Sequence, residues 1–291
     1  MEMILPAQPP FSYPAVVHSH GWAQLAPFIL DETTDALSTI LRLPDGRVVR
    51  LDFGPQPQSL LVRTPDDLSP EEQAEVRQAA AWMFGLDLDL APFYAVARQE
   101  PGLAHCVEQA RGRVLRAPTL FEDLVKTILT TNTQWGGTIR MAAGLVAAFG
   151  APHPDQPEWR AFPTAGRLAA LDEAELTAQV RLGYRAPYVL ALAREVDCGE
   201  RDLEALQHSD LPTDELRKEL LSIKGVGGYA AANLLMLLGR YDSIPIDSWA
   251  HKMVSTHFFD GEPVTPGQIE AVFAPYGEFK GLAYWFWAWD A

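Results

Sequence analysis

Cysteine is scarce in this sequence. Only Cys106 and Cys198 occur among 291 residues, and they lie far apart. A structural zinc site or an iron-sulfur cluster needs several closely spaced thiolates, so neither can be built here. We therefore expect no metal cofactor, and we expect both cysteines to be plain buried residues.

Long apolar runs are also missing. No stretch reaches membrane-spanning length, and the first residues show no basic segment followed by an apolar core. From these two absences we expect a cytoplasmic protein that does not bind membranes, associated with the nucleoid if the source is bacterial, and we also expect it to be a monomer.

Positive charge is in deficit. The chain carries 23 Lys and Arg against 38 Asp and Glu, a net charge of -15. Proteins that neutralise DNA phosphates usually have the opposite balance. A footprint of backbone N–H groups and a few local cations can still hold DNA, with weak and salt-sensitive binding. The acidic clusters are predicted to be solvated surface: Asp66, Asp67, Glu71, Glu72 and Glu75, then Asp172, Glu173 and Glu175.

The arrangement of apolar residues predicts an α+β fold that is mostly helical. Alternation over residues 15–64, with a turn at Pro44–Arg47, predicts strands and therefore an antiparallel sheet domain at residues 1–68. Ser69–Glu72 is a helix start, and no convincing strand follows it. In the helical region an apolar stripe ends in the polar tract Thr130–Gln134, and a second amphipathic helix begins near Pro187.

A glycine-rich turn is the most informative feature. One helix is predicted to end near Ser222, and an alanine and leucine run begins another after Gly228. Such a turn presents free N–H groups beside the positive end of a helix dipole, which suits a phosphate oxygen. An ordinary turn between helices is the alternative. The predicted DNA-contacting residues of the turn are Lys224, Gly225, Val226, Gly227 and Gly228.

Asp247 follows in Ile244–Asp247, at the start of the next helical pattern. Helix capping is a common role for aspartate and is compatible with catalysis. A carboxylate at a helix N-terminus is stabilised as an anion. Breaking a bond between a base and deoxyribose develops positive charge on the sugar, so a fixed carboxylate lowers the barrier and can orient water.

Together, Ile223–Tyr229, Ile244–Asp247 and Leu182–Ala186 resemble the helix-hairpin-helix (HhH-GPD) superfamily of DNA glycosylases, in the branch of 3-methyladenine and 8-oxoguanine glycosylases. The resemblance runs from roughly residue 70 to the end. It implies two helical lobes within residues 69–291 with an active-site cleft between them, a base flipped out of damaged double-stranded DNA, and Asp247 as the catalytic residue. It also implies a monovalent cation, when DNA is bound, at the backbone carbonyls of Leu221, Ile223 and Val226.

The sequence departs from this family at one informative position. Members with lyase activity have a Schiff-base lysine where this chain has Tyr229, and a phenol cannot form that adduct. The resemblance therefore implies a monofunctional glycosylase, in which Asp247 activates water and an abasic site is left. The four-cysteine cluster of the endonuclease III relatives is absent, which excludes those branches.

Resemblance also indicates residues that contact the unpaired partner base. Asn132 matches an asparagine that fills the gap left by the flipped base, and Gln134 lies in the same polar tract. Tyr184 and Arg185 match residues that wedge beside and read the partner base. Gly137 stands where the 8-oxoguanine branch has a second reading arginine, which leaves recognition of an opposite cytosine open. Capping for Asn132 and core packing for Tyr184 are the alternatives.

The aromatic run at residues 282–289 favours a substrate class. Most of its rings are predicted to be core, but Trp285 or Trp287 with Tyr229 could form a stacking pocket. Such a pocket favours cationic alkylated purines such as 3-methyladenine. Three alternatives stay open: an 8-oxoguanine-type glycosylase, a non-catalytic lesion-binding protein, and a helical protein with no nucleic-acid role.

Overall fold

The structure, a computed structural model, describes residues 1–289. Within them, five strands form one antiparallel sheet with the order β1-β5-β4-β3-β2. The strands are β1 (Glu2–Pro6), β2 (Ile29–Asp31), β3 (Ala36–Arg42), β4 (Val48–Gln56) and β5 (Ser59–Arg63). In register, Leu37 lies opposite Phe53 and Phe53 opposite Val62, which places three buried side chains in one row.

Helices make up most of the remaining chain, so the predicted α+β class is confirmed. They are α1 (Tyr13–Val17), α2 (Pro70–Phe84), α3 (Ala91–Ala97), α4 (Ala104–Glu108), α5 (Leu120–Thr130), α6 (Trp135–Phe149), α7 (Ala165–Ala169), α8 (Glu173–Gln179), α9 (Ala186–Asp197), α10 (Leu203–Gln207), α11 (Thr213–Ser222), α12 (Gly228–Leu237), α13 (Ser248–Phe258), α14 (Pro266–Phe273) and α15 (Lys280–Trp285). Short 3₁₀ helices occupy Gly21–Gln24, Pro101–Leu103, Gly183–Arg185 and Ala274–Phe279.

The chain forms two compact units. The first contains Met1–Leu88 and Arg113–His208, and the second contains Asp89–Gly112 and the residues from Ser209 onward. The sheet therefore shares a unit with the helices of residues 113–208. The second unit contains the glycine-rich turn and Asp247.

The prediction of strands throughout residues 15–64 was wrong at its start. The segment Tyr13–Val17 is helical, because the Ser12 hydroxyl accepts the Ala15 N–H and Pro14 occupies the first turn. The first strand is instead Glu2–Pro6, where Met3 and Leu5 alternate inward.

Two predictions about exposure were also wrong. Asp66 is buried rather than solvated, since it accepts the Arg50 N–H at 3.1 Å and lies 3.1 Å from His153 Nε2. Cys198 is exposed at the end of α9, whereas Cys106 is buried as expected. Pairing with donors distant in sequence, which the sequence cannot show, accounts for the buried aspartate.

A buried carboxyl group ties α5 to the segment that follows α1. Asp123 is fully buried, and its Oδ1 accepts the Trp22 indole N–H at 2.7 Å and the Ala117 N–H at 2.9 Å. Burial raises the pKa of Asp123 to about 7, although both hydrogen bonds oppose this shift. Between pH 3.8 and about pH 7, Asp123 therefore keeps its proton in the folded protein and loses it in the unfolded chain.

We expect Asp123→Asn to be more stable than wild type above pH 7. The stability contributed by protonated Asp123 is complete below the unfolded pKa of 3.8 and is lost as pH rises through about 7. Asparagine imitates the protonated side chain at every pH. Thermal melts from about pH 5 to pH 9 should show the variant melting higher at the alkaline end, with the gap closing towards acid. Asp67→Asn, at an exposed acid, is the control. Parallel curves for wild type and Asp123→Asn would refute the assignment.

Candidate active site

The glycine-rich turn joins α11 and α12 as the sequence predicts. The Val226 N–H donates to the Ile223 carbonyl at 3.0 Å, and Gly225 between them has a φ of 93°. This geometry is typical of a type II turn, whose third residue must accept positive φ and so favours glycine. Ile223 and Val226 are buried, and this locks the two helices around the turn.

Gly227 leaves the backbone at the start of α12 uncovered. It is the N-cap of α12 and has an ordinary φ of -96°. A Cβ built there meets no atom of the described residues within 4 Å. The fold itself therefore does not require glycine here, whereas a ligand close to the backbone would. Gly228 and Lys224 are exposed beside it. The first-turn amides of α12 thus have no side-chain acceptor at the cap and suit an anion.

Asp247 caps the helix that follows. Its Oδ1 accepts the Ala250 N–H at 2.8 Å, and its carbonyl accepts the His251 N–H at 3.1 Å. The side chain is half-buried. Both the capping role and the start of α13 at Ser248 agree with the sequence prediction. Because Oδ1 makes the cap bond, Oδ2 is the oxygen that can act on a substrate.

Two phenols share the electrostatic field of this carboxylate. Burial raises the pKa of Tyr229, and the negative charge of Asp247 raises it further. Burial likewise raises the pKa of Tyr284, with added contributions from Asp247 and Tyr229. Both phenols are therefore neutral at physiological pH and can donate a hydrogen bond beside Asp247.

Gly281 brings α15 against the loop that leads to Asp247. Its N–H donates to the Tyr241 carbonyl at 2.6 Å. A Cβ at Gly281 would lie 2.4 Å from the Ser243 oxygen and 2.7 Å from the Tyr241 oxygen. Both atoms belong to backbone, so only glycine permits this approach. The contact fixes the loop against α15. Gly281 lies one helical turn before Tyr284 on that helix.

Aromatic side chains surround Tyr284. Its ring makes edge contacts with Trp249 at 6.2 Å and with Trp289 at 5.6 Å between centroids. Trp249 lies two residues after Asp247 and is 45% exposed, so part of its side chain is accessible to a ligand.

Trp285 and Trp287, the two tryptophans predicted for the base pocket, are both partly exposed. Trp287 is half-buried and packs against Phe258 and Phe273, and a Cβ at Gly102 would touch its ring. Trp285 is half-buried at the end of α15. Their place in a base pocket stays a prediction. Tyr284 and Trp249 were missed because only contacts across α13 and α15 distinguish them from their aromatic neighbours.

A second group of predicted residues lies in the first unit. Asn132 is exposed with a φ of 45°, a left-handed conformation that asparagine tolerates better than most residues. Its Nδ2 donates to the Tyr184 hydroxyl at 3.3 Å, and that hydroxyl lies 3.0 Å from Thr131 Oγ1. Tyr184 is 47% exposed, so it is not the core residue considered as its alternative.

Arg185 holds this group in place, and Gln134 lies close to it in sequence. Arg185 is buried, donates to the carbonyls of Thr131 and Leu182, and stacks over the Tyr184 ring at 4.5 Å. In this conformation it therefore positions Tyr184. Gln134 is exposed as the N-cap of α6, and its side chain makes no capping hydrogen bond among the described residues. Both residues keep their predicted DNA-contacting roles as predictions.

Two general features bear on the class of protein. Among residues 1–289, no group of three or more His, Cys, Asp or Glu side chains is arranged to hold a metal ion. Within the same described range, none of the helices is both long and apolar enough to cross a bilayer.

The hairpin, the capping carboxylate and the α+β fold together are typical of helix-hairpin-helix DNA glycosylases. Residues 125–276 match the family described as HhH-GPD superfamily base excision DNA repair protein. This match spans more than half of the 291 residues. The chain belongs to that family and is a DNA glycosylase of base excision repair, so the predicted resemblance is confirmed.

Individual relatives agree with this membership. A DNA-3-methyladenine glycosylase of Bacillus subtilis (strain 168) is 28% identical over 243 residues, which cover 79% of this chain and 78% of that protein. A 3-methyladenine DNA glycosylase structure from Archaeoglobus fulgidus has a TM-score of 0.79 at 19% identity, covering 100% of this chain and 98% of that one. An apo 8-oxoguanine glycosylase/lyase from Clostridium acetobutylicum has a TM-score of 0.77 at 20% identity, covering 100% and 96%. At such low identity the two structures show the fold alone.

Gly281→Ala should slow base release without weakening DNA binding. The new methyl group would displace the Tyr241–Ser243 backbone and move Asp247, and a shift of about 1 Å in a reacting group costs on the order of a hundredfold in rate. Single-turnover release and duplex affinity should be measured separately. Gly267→Ala is the matched control, because a Cβ at Gly267 meets no described atom within 4 Å. Equal rates for Gly281→Ala and wild type would show that the contact does not position Asp247.

Proposed function

We propose that this DNA glycosylase is monofunctional and hydrolytically excises an alkylated purine such as 3-methyladenine from double-stranded DNA. The observation that carries the proposal is that Asp247, a capping carboxylate, lies close enough to two neutral phenols, Tyr229 and Tyr284, for its charge to raise their pKa. The similar protein of Bacillus subtilis is named for 3-methyladenine.

In the proposed reaction, breaking of the bond between C1′ and the base nitrogen runs ahead of the attack by water, and the sugar gains positive charge. Asp247 Oδ2 stabilises that charge and accepts a proton from the attacking water, whose oxygen bonds to C1′. The base leaves with the bonding electron pair, and the product is an abasic site. An alkylated purine cation is already a good leaving group, so one carboxylate is sufficient.

Recognition of an electron-poor base follows from the rings beside Asp247. Trp249, which is 45% exposed, and the half-buried Tyr229 offer π-surfaces that attract a cationic purine, and the buried Tyr284 packs edge-on against Trp249. The hairpin residues Lys224–Gly228 would hold a phosphate of the lesion strand through backbone amides. A monovalent cation at the backbone carbonyls of Leu221, Ile223 and Val226 would contact the same DNA strand. This cation stays a proposal.

An 8-oxoguanine-type glycosylase is the second candidate. The specific observation in its favour is the exposed Asn132 and Tyr184 pair, joined by a hydrogen bond at 3.3 Å, at positions that match the partner-base contacts of that branch. Mass spectrometry of bases released from alkylated and from oxidised duplexes decides between the two. Release of 8-oxoguanine without any methylated purine would overturn the alkylated-purine proposal.

Asp247→Asn should abolish base release while leaving the fold intact. Asparagine caps a helix about as well as aspartate, so α13 should keep its stability, but the charge needed at C1′ is gone. Asp247→Ala should lose both activity and about 1 kcal/mol of stability. We expect a fall in single-turnover rate of at least a hundredfold for both variants, with unchanged melting only for Asp247→Asn. An asparagine variant that keeps wild-type activity would remove Asp247 from the mechanism.

Wild type should not be trapped on damaged DNA by borohydride, because Tyr229 cannot form a Schiff base. Tyr229→Lys places an amine at that position and should produce trapped complex and some strand nicking. Tyr229→Phe is the matched control and should give neither. Trapping of the wild-type protein would show that another amine performs the lyase step and that the enzyme is not monofunctional.

A further inference from the structure

Trp135 is an exposed tryptophan that the mechanism leaves unused. It is the first residue of α6, three positions after Asn132, and 37% of it is open to solvent. Only two tryptophans in the described structure are exposed, Trp135 and Trp249, and Trp249 belongs to the rings near Asp247. An indole kept at the surface therefore needs an explanation.

The indole is held in place by a separate segment. Its Nε1–H donates to Gln24 Oε1 at 2.6 Å. Its six-membered ring lies directly on Gly21, where a Cβ would stand 2.1 Å from Trp135 Cζ2. Any larger residue at Gly21 would push the ring away. The exposed side chain is thus fixed by a hydrogen bond at one edge and a backbone contact beneath it.

The supporting segment is itself anchored in the core. Trp22, between Gly21 and Gln24, donates its indole N–H to buried Asp123 at 2.7 Å. The Nε2 atom of His20, the residue before Gly21, lies 2.6 Å from the Leu115 carbonyl oxygen. The exposed ring is therefore in position before a partner arrives, and a rigid ring loses little entropy on binding.

Two other exposed residues of the same unit indicate that Trp135 contacts DNA. Asn132 and Tyr184, in the same unit, are exposed, and both are predicted to contact the partner strand. Nucleobases stack on aromatic side chains whatever their sequence. Gly136 follows Trp135 and carries no side chain that would shield the ring.

We propose that Trp135 is a DNA-contacting residue whose exposed indole packs against a nucleotide next to the gap that Asn132 is predicted to fill. This inference rests on the proposed placement of Asn132 and Tyr184 on DNA. It adds a contact that the hairpin, the carboxylate and the aromatic rings beside Asp247 do not supply.

Binding to a duplex with a stable abasic analogue tests the contact without requiring catalysis. Trp135→Ala should bind on the order of tenfold more weakly, while Trp135→Phe, which keeps a stacking ring but cannot donate to Gln24, should retain most of the affinity. Ile4→Ala, at an exposed apolar residue of β1, is the control and should bind as wild type. Unchanged affinity in a folded Trp135→Ala protein overturns the proposal.

Photo-crosslinking of the wild-type protein covers the case in which Trp135→Ala does not fold. Duplexes with 5-iodouracil at successive positions around the abasic analogue should crosslink to Trp135 from at least one position. Crosslinks to Tyr184 with none to Trp135 from any position would overturn the contact. Because neither measurement depends on base release, failure of this inference is seen separately from failure of the proposed excision.

Discussion

The hydrogen bond that caps α13 is the interaction on which the proposed active site depends, because it holds one oxygen of Asp247 and leaves the other available. Oδ1 accepts the Ala250 N–H at 2.8 Å, which fixes the side chain at the start of α13. The other oxygen can then face a substrate from a known direction. A helix N-terminus stabilises negative charge there, so one interaction provides both position and electrostatics. Capping therefore holds the carboxylate in the way that the proposed catalytic role requires, and the two roles are compatible.

The loop that leads to this carboxylate is held by an element distant in sequence. The Tyr241–Ser243 backbone lies against Gly281, too close for any side chain, and Tyr284 follows one turn later on α15. The edge contact of Tyr284 with Trp249 joins α15 to α13. The loop and the phenol are consequently fixed by one helix. A change at Gly281 would disturb the distance between carboxylate and phenol as well as the loop.

Local signals allowed much of the site to be predicted. Gly225 needs positive φ, Asp247 is a strong cap, and α11 ends at Ser222 as expected, because each depends on a few neighbouring residues. Features created by tertiary contact could not be predicted. Nothing in the sequence separates Tyr284 from Trp285, or marks Gly281 as a close approach, until α15 meets the loop. Asp66 is an acid in an acidic run, and only its bonds to Arg50 and His153 explain its burial.

The net charge of -15 is a poor guide to DNA binding in this chain because the acids are unevenly placed. First turns of several helices are acidic, with Glu71 and Glu72 in α2, Glu173 and Glu175 in α8, and Asp214 and Glu215 in α11. In the described structure, the first turns of α6, α9 and α12 contain none, and these are the helices that begin beside the predicted DNA contacts. At physiological ionic strength charges are screened over about 8 Å. A phosphate at such a helix start therefore responds to local amides and a nearby cation far more than to the sum over the chain.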